Sequence, residues 1–270
     1  MFSLQKISVS VLLVFLSLAA SGIDRFSFTA GAAEAGTGYT CITKTGFWSS
    51  FHNQASLAFN KSLTLGVNYE NRFSLKETGL RSAGIAVPVN NASVAGVFSH
   101  FGYSDFSRSF AGIACGLMLS EKVSAGVQID YFLERMACNN KQYVSFETGV
   151  LISVSENVTA GLHLFNPVPN SLRKTGMPSR LRVGTGIQMN RALIAGIEAE
   201  ISTGEKLSLR TGFEYEAARK LFLRGGFSTE SASFSLGLGY ILKSLTTDIS
   251  VSTHERLGIT SSVSLIYKLH

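Results

Sequence analysis

The chain has 270 residues, of which 45% are hydrophobic and only 16% charged, and its net charge is +6 at pH 7. Soluble domains carry about 25% charged residues, so this composition is short of the charge that a solvated surface needs. The basic residues form no run in the sequence, which argues against a nucleic-acid-binding patch. No Pro-rich or charge-rich linker divides the chain, and we expect one folded domain.

The N-terminus has the layout of a secretory signal peptide. An apolar run from Ile7 to Ala20 follows Lys6 and leads into small residues up to Gly22. This run is too short to cross a bilayer as a helix, so an uncleaved anchor is the weaker alternative. We expect residues 1–22 to be removed, with a cleavage site near Ala32 as a second option. No cysteine follows the run, which disfavours a lipoprotein.

The remaining chain divides into a short irregular segment and a long series of strands. Residues 23–58 are small and polar without clear periodicity, whereas residues 59–270 show no convincing amphipathic helix. Apolar side chains there recur at every second position, as they do in a strand with one apolar face. The candidate strands are fourteen in number: 61–71, 80–89, 92–102, 109–119, 122–133, 142–154, 157–166, 180–189, 192–202, 206–217, 220–229, 233–242, 245–254 and 259–270.

The alternation is clearest between Leu207 and Leu242, which read as three consecutive strands. One face carries leucines and aromatic residues, and the other carries charges and glycines. Leu209, Phe213, Leu223, Phe227, Leu236 and Tyr240 are on the first face. Strand 92–102 breaks this pattern, and its faces are not assigned.

The connections between strands alternate in length. Short turns follow every even-numbered strand, and the longer connections 72–79, 103–108, 134–141 and 166–178 follow odd-numbered ones. Bacterial membrane barrels have an even number of strands, short periplasmic turns and longer outside loops. The pattern therefore predicts a barrel with both termini in the periplasm.

A soluble β-sandwich is the alternative explanation of the alternation. The candidate strands span about ten residues, whereas strands of soluble proteins have a mode of about five or six. Glycine is frequent on the polar face, where it leaves room inside a curved wall. Aromatic residues near strand ends fit interfacial girdles, namely Tyr69, Tyr131, Phe165, Tyr215, Tyr240 and Tyr267. We therefore predict an all-β, transmembrane antiparallel β-barrel of about fourteen strands.

Nothing in the sequence indicates an enzyme, a cofactor or a metal site. There is no Gly-x-Ser-x-Gly elbow, and the five histidines lie far apart. The segment Gly31–Gly38 lacks the preceding strand and following helix that a phosphate-binding loop requires. We predict no catalytic, cofactor-binding or metal-binding residues. A disulfide between Cys41 and Cys138 is an open possibility, because three cysteines cannot all pair.

Several motifs resemble the PorV/PorQ-type outer-membrane proteins of Bacteroidetes, which are relatives of the FadL-like transporters. The glycine-rich segment 31–38 is followed by Trp48 and then by an Asn-Gln-Ala-Ser-Leu-Ala run at 53–58. The family's run has proline and glycine where this chain has Gln54 and Ser56. The resemblance implies a fourteen-stranded barrel, residues 59–270, with residues 23–58 folded inside as a hatch. Its signature residues here are Gly31, Gly36, Gly38, Trp48, Asn53 and Leu57.

Charged residues are expected on the lumen face of this barrel. They could line a polar permeation path, or they could form ion pairs that join wall and hatch; we favour the second, since buried charges need partners. The set is Asp130, Glu147, Arg182, Glu198, Glu200, Arg210, Glu214, Glu216, Arg224, Asp248 and Lys268. Apolar lumen positions are few, namely Phe110, Phe132, Phe165 and Phe222, which counts against a fatty-acid route.

The resemblance also implies a function and a location. It suggests a non-enzymatic outer-membrane component of type IX secretion, with outer-membrane lipid and other secretion or outer-membrane proteins as partners and no nucleic acid. The alternative is a FadL-like passive transporter of small hydrophobic or amphipathic molecules. Either would lie in the outer membrane of a Gram-negative bacterium, in particular one of the Bacteroidetes, after export by the signal peptide.

Overall fold

A closed antiparallel barrel makes up most of the structure. The structure is a computed structural model that describes residues 28–137, 139–167, 177–230 and 232–269; the expected signal peptide and Cys138 lie outside them. The strands are β1 Leu63–Asn71, β2 Gly79–Val89, β3 Ala92–Gly102, β4 Phe106–Ser120, β5 Val123–Met136, β6 Asn139–Ser155, β7 Val158–Phe165, β8 Arg180–Gln188, β9 Leu193–Ser202, β10 Ser208–Ala218, β11 Leu221–Ser228, β12 Ser233–Leu242, β13 Leu245–His254 and β14 Gly258–Leu269.

The predicted fourteen strands are confirmed. Each strand pairs with its neighbours in sequence, and β1 pairs with β14 from Leu63↔Leu269 to Asn71↔Ser261. The predicted connection 134–141 is wrong, because β5 continues to Met136 and β6 begins at Asn139, where the alternating pattern persists. Among the described residues, no helix is long and apolar enough to cross a membrane.

The two faces of the wall have opposite character. The outward face is apolar and open, with Leu236, Ile113 and Ile129 exposed by 71%, 70% and 67%. The lumen face holds the buried charges, with Asp130 and Asp248 exposed by no more than 1%. A soluble domain has the reverse arrangement. The outward surface is that of a protein surrounded by lipid.

The structure decides two points about strand faces that the sequence did not settle. The sequence placed Phe165 both in an interfacial girdle and among the apolar lumen positions. The girdle prediction is wrong, because the position of Phe165 in β7 directs its ring into the lumen, where it is 2% exposed. In β3, the lumen positions include Ala95 and Val97, which pack in two buried apolar clusters. Small apolar residues on the lumen face explain why this strand shows no clear alternation.

The segment before β1, residues 28–62, lies mostly inside the barrel, and we call it the hatch. It contains the short helix α1 (Ala32–Gly36) and two 3-10 helices, Phe47–Phe51 and Gln54–Phe59. Helix α1 contacts β11 to β14, whereas the second 3-10 helix contacts β3 to β6. The hatch therefore reaches opposite sides of the wall. A buried cluster joins its Ala30, Phe47, Trp48 and Leu57 to the wall residues Ala86, Ala95 and Ala114.

Glycines of the wall allow the hatch backbone to approach closely. A Cβ atom at Gly126 of β5 would overlap the backbone of Gln54, and one at Gly226 of β11 would overlap the backbone of Thr37. Backbone atoms of a packed segment cannot move aside as a flexible side chain can. The glycines on the polar face thus make room for the chain's own hatch.

We predict that Gly126→Val destabilises the barrel by about 1–3 kcal/mol, because the added carbons overpack the hatch. The matched control is Gly96→Val in β3, where a Cβ atom would meet only Ile85 Cγ2, at 3.7 Å. The measurement is the temperature at which the folded gel band of the purified barrel is lost. Equal shifts for the two variants would contradict the close approach of the hatch.

Candidate functional site

The glycine-rich part of the predicted hatch signature forms the turns around α1. Gly31 precedes the helix with φ of 102°, and Gly38 follows it with φ of 64°, conformations that favour glycine. Gly36 lies against Gly237 of β12. Trp48 is 1% exposed, and its ring centroid lies 4.9 Å from that of Phe47.

Asn53 organises the second half of the hatch. Its Oδ1 accepts a hydrogen bond from the Ala55 backbone N–H at 3.1 Å and caps the second 3-10 helix. Its Nδ2 donates to the carbonyl oxygen of Ile42 at 2.9 Å, which ties two parts of the hatch together. Leu57, four residues later, is fully buried.

Gln54 of the hatch has a specific partner. Gln54 Nε2 donates to Glu147 Oε2 of β6 at 2.6 Å. His163 Nε2 of β7 lies 2.9 Å from the same oxygen. Next to them, Asp130 Oδ1 accepts from Gln128 Nε2 at 2.7 Å. Gln54 therefore fastens the hatch to a polar cluster on β5, β6 and β7.

A second group of lumen charges joins β8, β9 and β10 by ion pairs. Arg182 contacts Glu198 at 2.5 Å, and Arg210 contacts Glu200 at 2.6 Å. Arg182 and Glu200 also approach each other, at 3.5 Å. Each buried charge thus faces one of opposite sign, as it must in a medium of low dielectric constant.

A third group lies on β10, β11 and β13. Arg224 contacts Glu214 at 2.6 Å through Nε and Asp248 at 2.7 Å through Nη1. Of the remaining predicted lumen charges, Glu216 is half-buried and accepts a hydrogen bond from the Lys220 N–H at 3.0 Å. Lys268 is exposed at the end of β14, so its lumen-side position in the alternation does not bury it.

Several of these charges also hold the hatch. Glu198 accepts a hydrogen bond from the Ile42 backbone N–H at 2.5 Å, and Arg182 donates to the carbonyl oxygen of Tyr39 at 3.0 Å. Lys44 of the hatch contacts Glu214 at 3.3 Å. The lumen charges form a network that connects strands to each other and to the hatch.

The sequence analysis missed one further hatch contact. Glu70 of β1 accepts a hydrogen bond from the Tyr39 hydroxyl at 2.5 Å and pairs with Arg72 at 2.6 Å. Glu70 is 3% exposed and lies on the lumen face of β1. Its alternation with exposed Tyr69 and Val67 is the sequence feature that could have identified it.

The lumen also contains an apolar region, which we call the aromatic cluster. Phe110, Phe132 and Phe165 pack with Val97 and Met177 in a buried group, and Phe28 and Phe51 of the hatch pack against it. The centroids of Phe110 and Phe132 lie 5.1 Å apart, and those of Phe132 and Phe165 lie 6.1 Å apart. Three of the four sparse apolar lumen positions therefore converge on one place.

The aromatic cluster lies towards the end of the barrel that carries the longer loops. Phe165 is the last residue of β7, and Met177 belongs to the connection that follows. The fourth lumen phenylalanine, Phe222, lies near the opposite end, at the start of β11 and beneath the guanidinium of Arg224 at 5.6 Å.

A separate shallow groove crosses the outer surface between β6 and β10. Ile152, Leu162, Val183 and Ile197 line it, and all four are more than 40% exposed. Because these side chains belong to the outward apolar face, the groove is part of the surface that lipid covers.

Catalytic or metal-binding groupings are not evident among the residues that the structure describes. No group of three or more His, Cys, Asp or Glu side chains in these ranges could hold a metal ion. Cys41 is a buried free thiol whose Sγ donates to the Tyr39 carbonyl oxygen at 3.3 Å. Its proposed disulfide partner, Cys138, lies outside the described residues.

Glu34 is a buried carboxyl group in the hatch itself. Its Oε2 has no hydrogen-bond partner among the described residues. Burial raises the pKa of Glu34 to about 7, and Asp248 acts in the same direction, while Lys44 and Arg224 oppose the shift. Near neutral pH this carboxyl group therefore exists in both the neutral and the charged form.

Known structures share this architecture. The toluene transporter TbuX of Ralstonia pickettii superimposes with a TM-score of 0.71 at 11% identity over 91% of this chain and 100% of its own. The fold of this chain is therefore similar to that of TbuX. A Pseudomonas aeruginosa FadL homologue superimposes with a TM-score of 0.64 at 14% identity, over 90% of this chain and 99% of its own.

The toluene transporter TodX of Pseudomonas putida superimposes with a TM-score of 0.63 at 11% identity, over 92% of this chain and 98% of its own. At the level of sequence, no family model and no curated protein matches this chain. The structural neighbours are outer-membrane channels and transporters.

We predict that the contribution of Glu34 to the free energy of unfolding falls as pH rises from about 4.5 to 7, because the folded protein holds the Glu34 proton that the unfolded chain has lost. The change amounts to about 3 kcal/mol, since one pKa unit is worth about 1.4 kcal/mol. The measurement is denaturant unfolding in detergent micelles, with Glu34→Gln as the control that lacks this titration. Parallel pH profiles for the two proteins would contradict the prediction.

Proposed function

We propose that this chain is a passive channel for small apolar molecules in the outer membrane of a Gram-negative bacterium. The aromatic cluster is the observation that carries the proposal. It is an apolar region within a lumen whose other inward-facing groups are mostly charged or hydroxylated. It lies towards the long-loop end, which in bacterial membrane barrels faces the cell exterior.

The geometry of the aromatic cluster suits a flat apolar molecule. The Phe28 ring stacks on Phe110 with a centroid distance of 5.5 Å and an interplanar angle of 21°. The Phe51 ring contacts the same Phe110 ring with a centroid distance of 6.1 Å and an interplanar angle of 61°. Aromatic rings prefer such offset or edge-to-face contacts, so the cluster provides favourable faces for a single aromatic ring.

The structural neighbours support the same proposal. TbuX and TodX are described as toluene transporters, and CymD as a monoaromatic hydrocarbon channel. The charged side chains in the lumen do not provide a polar path, since most of them are engaged in ion pairs or hydrogen bonds. We therefore place the apolar route along the aromatic cluster and the hatch.

We predict that Phe132→Gln lowers uptake of radiolabelled toluene by about tenfold in cells that carry the protein in an intact outer membrane, because a buried amide without partners disrupts the apolar route. Phe222→Gln is the matched control, since this lumen phenylalanine lies outside the aromatic cluster. Folded-band gel shifts establish that both variants form barrels. Equal uptake by the two variants would contradict the proposal.

A structural or partner-binding role in type IX secretion, as in the PorV/PorQ-type proteins, is the second candidate. The hatch favours it, because hydrogen bonds and ion pairs fasten it to the wall through Glu70, Glu147, Glu198 and Glu214. A permanently filled barrel would serve as a scaffold. Two results together would favour this candidate over transport. Cells with the wild-type protein would take up no more toluene than cells with an empty vector, and cross-linking in the native host would recover secretion proteins.

A further inference from the structure

The end of the barrel that carries the short turns has an uneven distribution of charge. Six basic side chains lie on one side of it: Lys61, Arg191, Arg219, Lys220, Lys243 and Lys268. Lys61 precedes β1, Lys268 is near the end of β14, and the others occupy the turns β8–β9, β10–β11 and β12–β13. We call this group the basic rim.

Backbone contacts show that members of the basic rim are neighbours in space. Glu216 N–H, next to the β10–β11 turn, donates to Ala192 of the β8–β9 turn at 2.8 Å. Ile241 N–H donates to the Lys220 carbonyl oxygen at 3.0 Å, and Lys268 N–H donates to that of Ser244 at 2.8 Å. These contacts link the three turns and the end of β14 in a row. Pairing of Leu63 with Leu269 adds the start of β1.

The basic side chains of the rim are exposed and not engaged in ion pairs within the described ranges. All six side chains are exposed, and none forms an ion pair with another residue in the described ranges. Glu216 is the nearby acid, and its Oε1 accepts from the backbone of Lys220.

The other half of the same rim differs in charge. Its turns are Asn90-Asn91, Glu121-Lys122 and Glu156-Asn157, which together contain one lysine and two glutamates. The excess of positive charge is therefore confined to the turns between β8 and β14. A difference between two halves of one rim is not explained by general solubility.

The basic rim is continuous with the lipid-facing surface. Tyr215, Tyr240 and Tyr267 lie on the outward face near the same end, exposed by 43%, 48% and 47%. Tyrosines in this position mark the boundary between the hydrocarbon core and the headgroups. Because the β10–β11 and β12–β13 turns contain only two residues each, they place their charges at headgroup level.

We propose that the basic rim binds the phosphate groups of anionic phospholipids in the leaflet at the short-turn end. Neighbouring short turns are two strands apart, roughly 10 Å, so each turn can meet a different headgroup. Anionic lipid surfaces attract clustered lysine and arginine residues in this way. The row follows the curved edge of the lipid belt, which fits surrounding lipid better than one acidic protein.

The test uses the full-length barrel with four substitutions in the basic rim: Arg191→Gln, Arg219→Gln, Lys220→Gln and Lys243→Gln. The matched control removes four exposed charges at the long-loop end: Lys76→Gln, Arg135→Gln, Lys141→Gln and Arg256→Gln. Native mass spectrometry measures bound phosphatidylglycerol against phosphatidylcholine at equal concentrations. Folded-band gel shifts establish that each variant forms a barrel.

We expect the wild type and the control to prefer phosphatidylglycerol over phosphatidylcholine. In the basic-rim variant, the ratio of bound phosphatidylglycerol to bound phosphatidylcholine should be about tenfold lower. Higher ionic strength should weaken the preference, as for any exposed charge contact. An unchanged preference in the basic-rim variant, or an equal loss in the control, would overturn the proposal. So would binding of inorganic phosphate or an acidic peptide without binding of phosphatidylglycerol. None of these outcomes depends on what passes through the lumen.

Discussion

The pairing of β1 with β14 is the constraint on which the rest of this structure depends. In hydrocarbon no water is present to bond an unpaired strand edge, so a membrane-spanning sheet must close on itself. Nine residue pairs from Leu63↔Leu269 to Asn71↔Ser261 complete this closure. Closure fixes which face of every strand points inward, and with it the volume that the chain has to fill.

The hatch fills that volume in two physically different ways. Against β8 to β11, charged side chains such as Arg182 and Glu198 pair with each other and bond the hatch backbone. Against β3 to β7, phenylalanine rings of wall and hatch pack together in the aromatic cluster, beside the separate hydrogen bond from Gln54 to Glu147. The contacts on the charged side are directional and fix the hatch in place. Those on the aromatic side are less directional, so an apolar molecule could replace some of them.

Strand number, strand faces and the apolar outer surface could be predicted from the sequence because they depend on local alternation. Contacts of the hatch could not, since nothing local relates Gln54 to Glu147 or Tyr39 to Glu70. Phe165 was assigned both to the girdle and to the lumen, because its place at a strand end and its place in the alternation indicate different surroundings. Lumen glycines such as Gly126 were expected to leave space and a hatch was expected inside the barrel, but the contact of Gly126 with the Gln54 backbone became apparent only in three dimensions.

The basic residues illustrate the same limit. In the sequence they form no run, and the short turns that contain them are separated by two strands each. Closure of the barrel places Arg191, Lys220 and Lys243 side by side, because consecutive hairpins stand next to each other. A charge pattern that repeats every two strands is therefore not recognisable from neighbouring residues in the sequence. The same holds for Phe110, Phe132 and Phe165, which come together from β4, β5 and β7.

The most direct test of the account is to locate a small apolar ligand in the barrel. Crystals of the protein soaked with bromobenzene would reveal the bromine atom by its anomalous scattering. The account predicts a bromine peak inside the lumen, next to Phe110 and Phe132 and in contact with the hatch. Bromine found only on the outward surface, or distributed equally between the aromatic cluster and the charged side of the lumen, would contradict it.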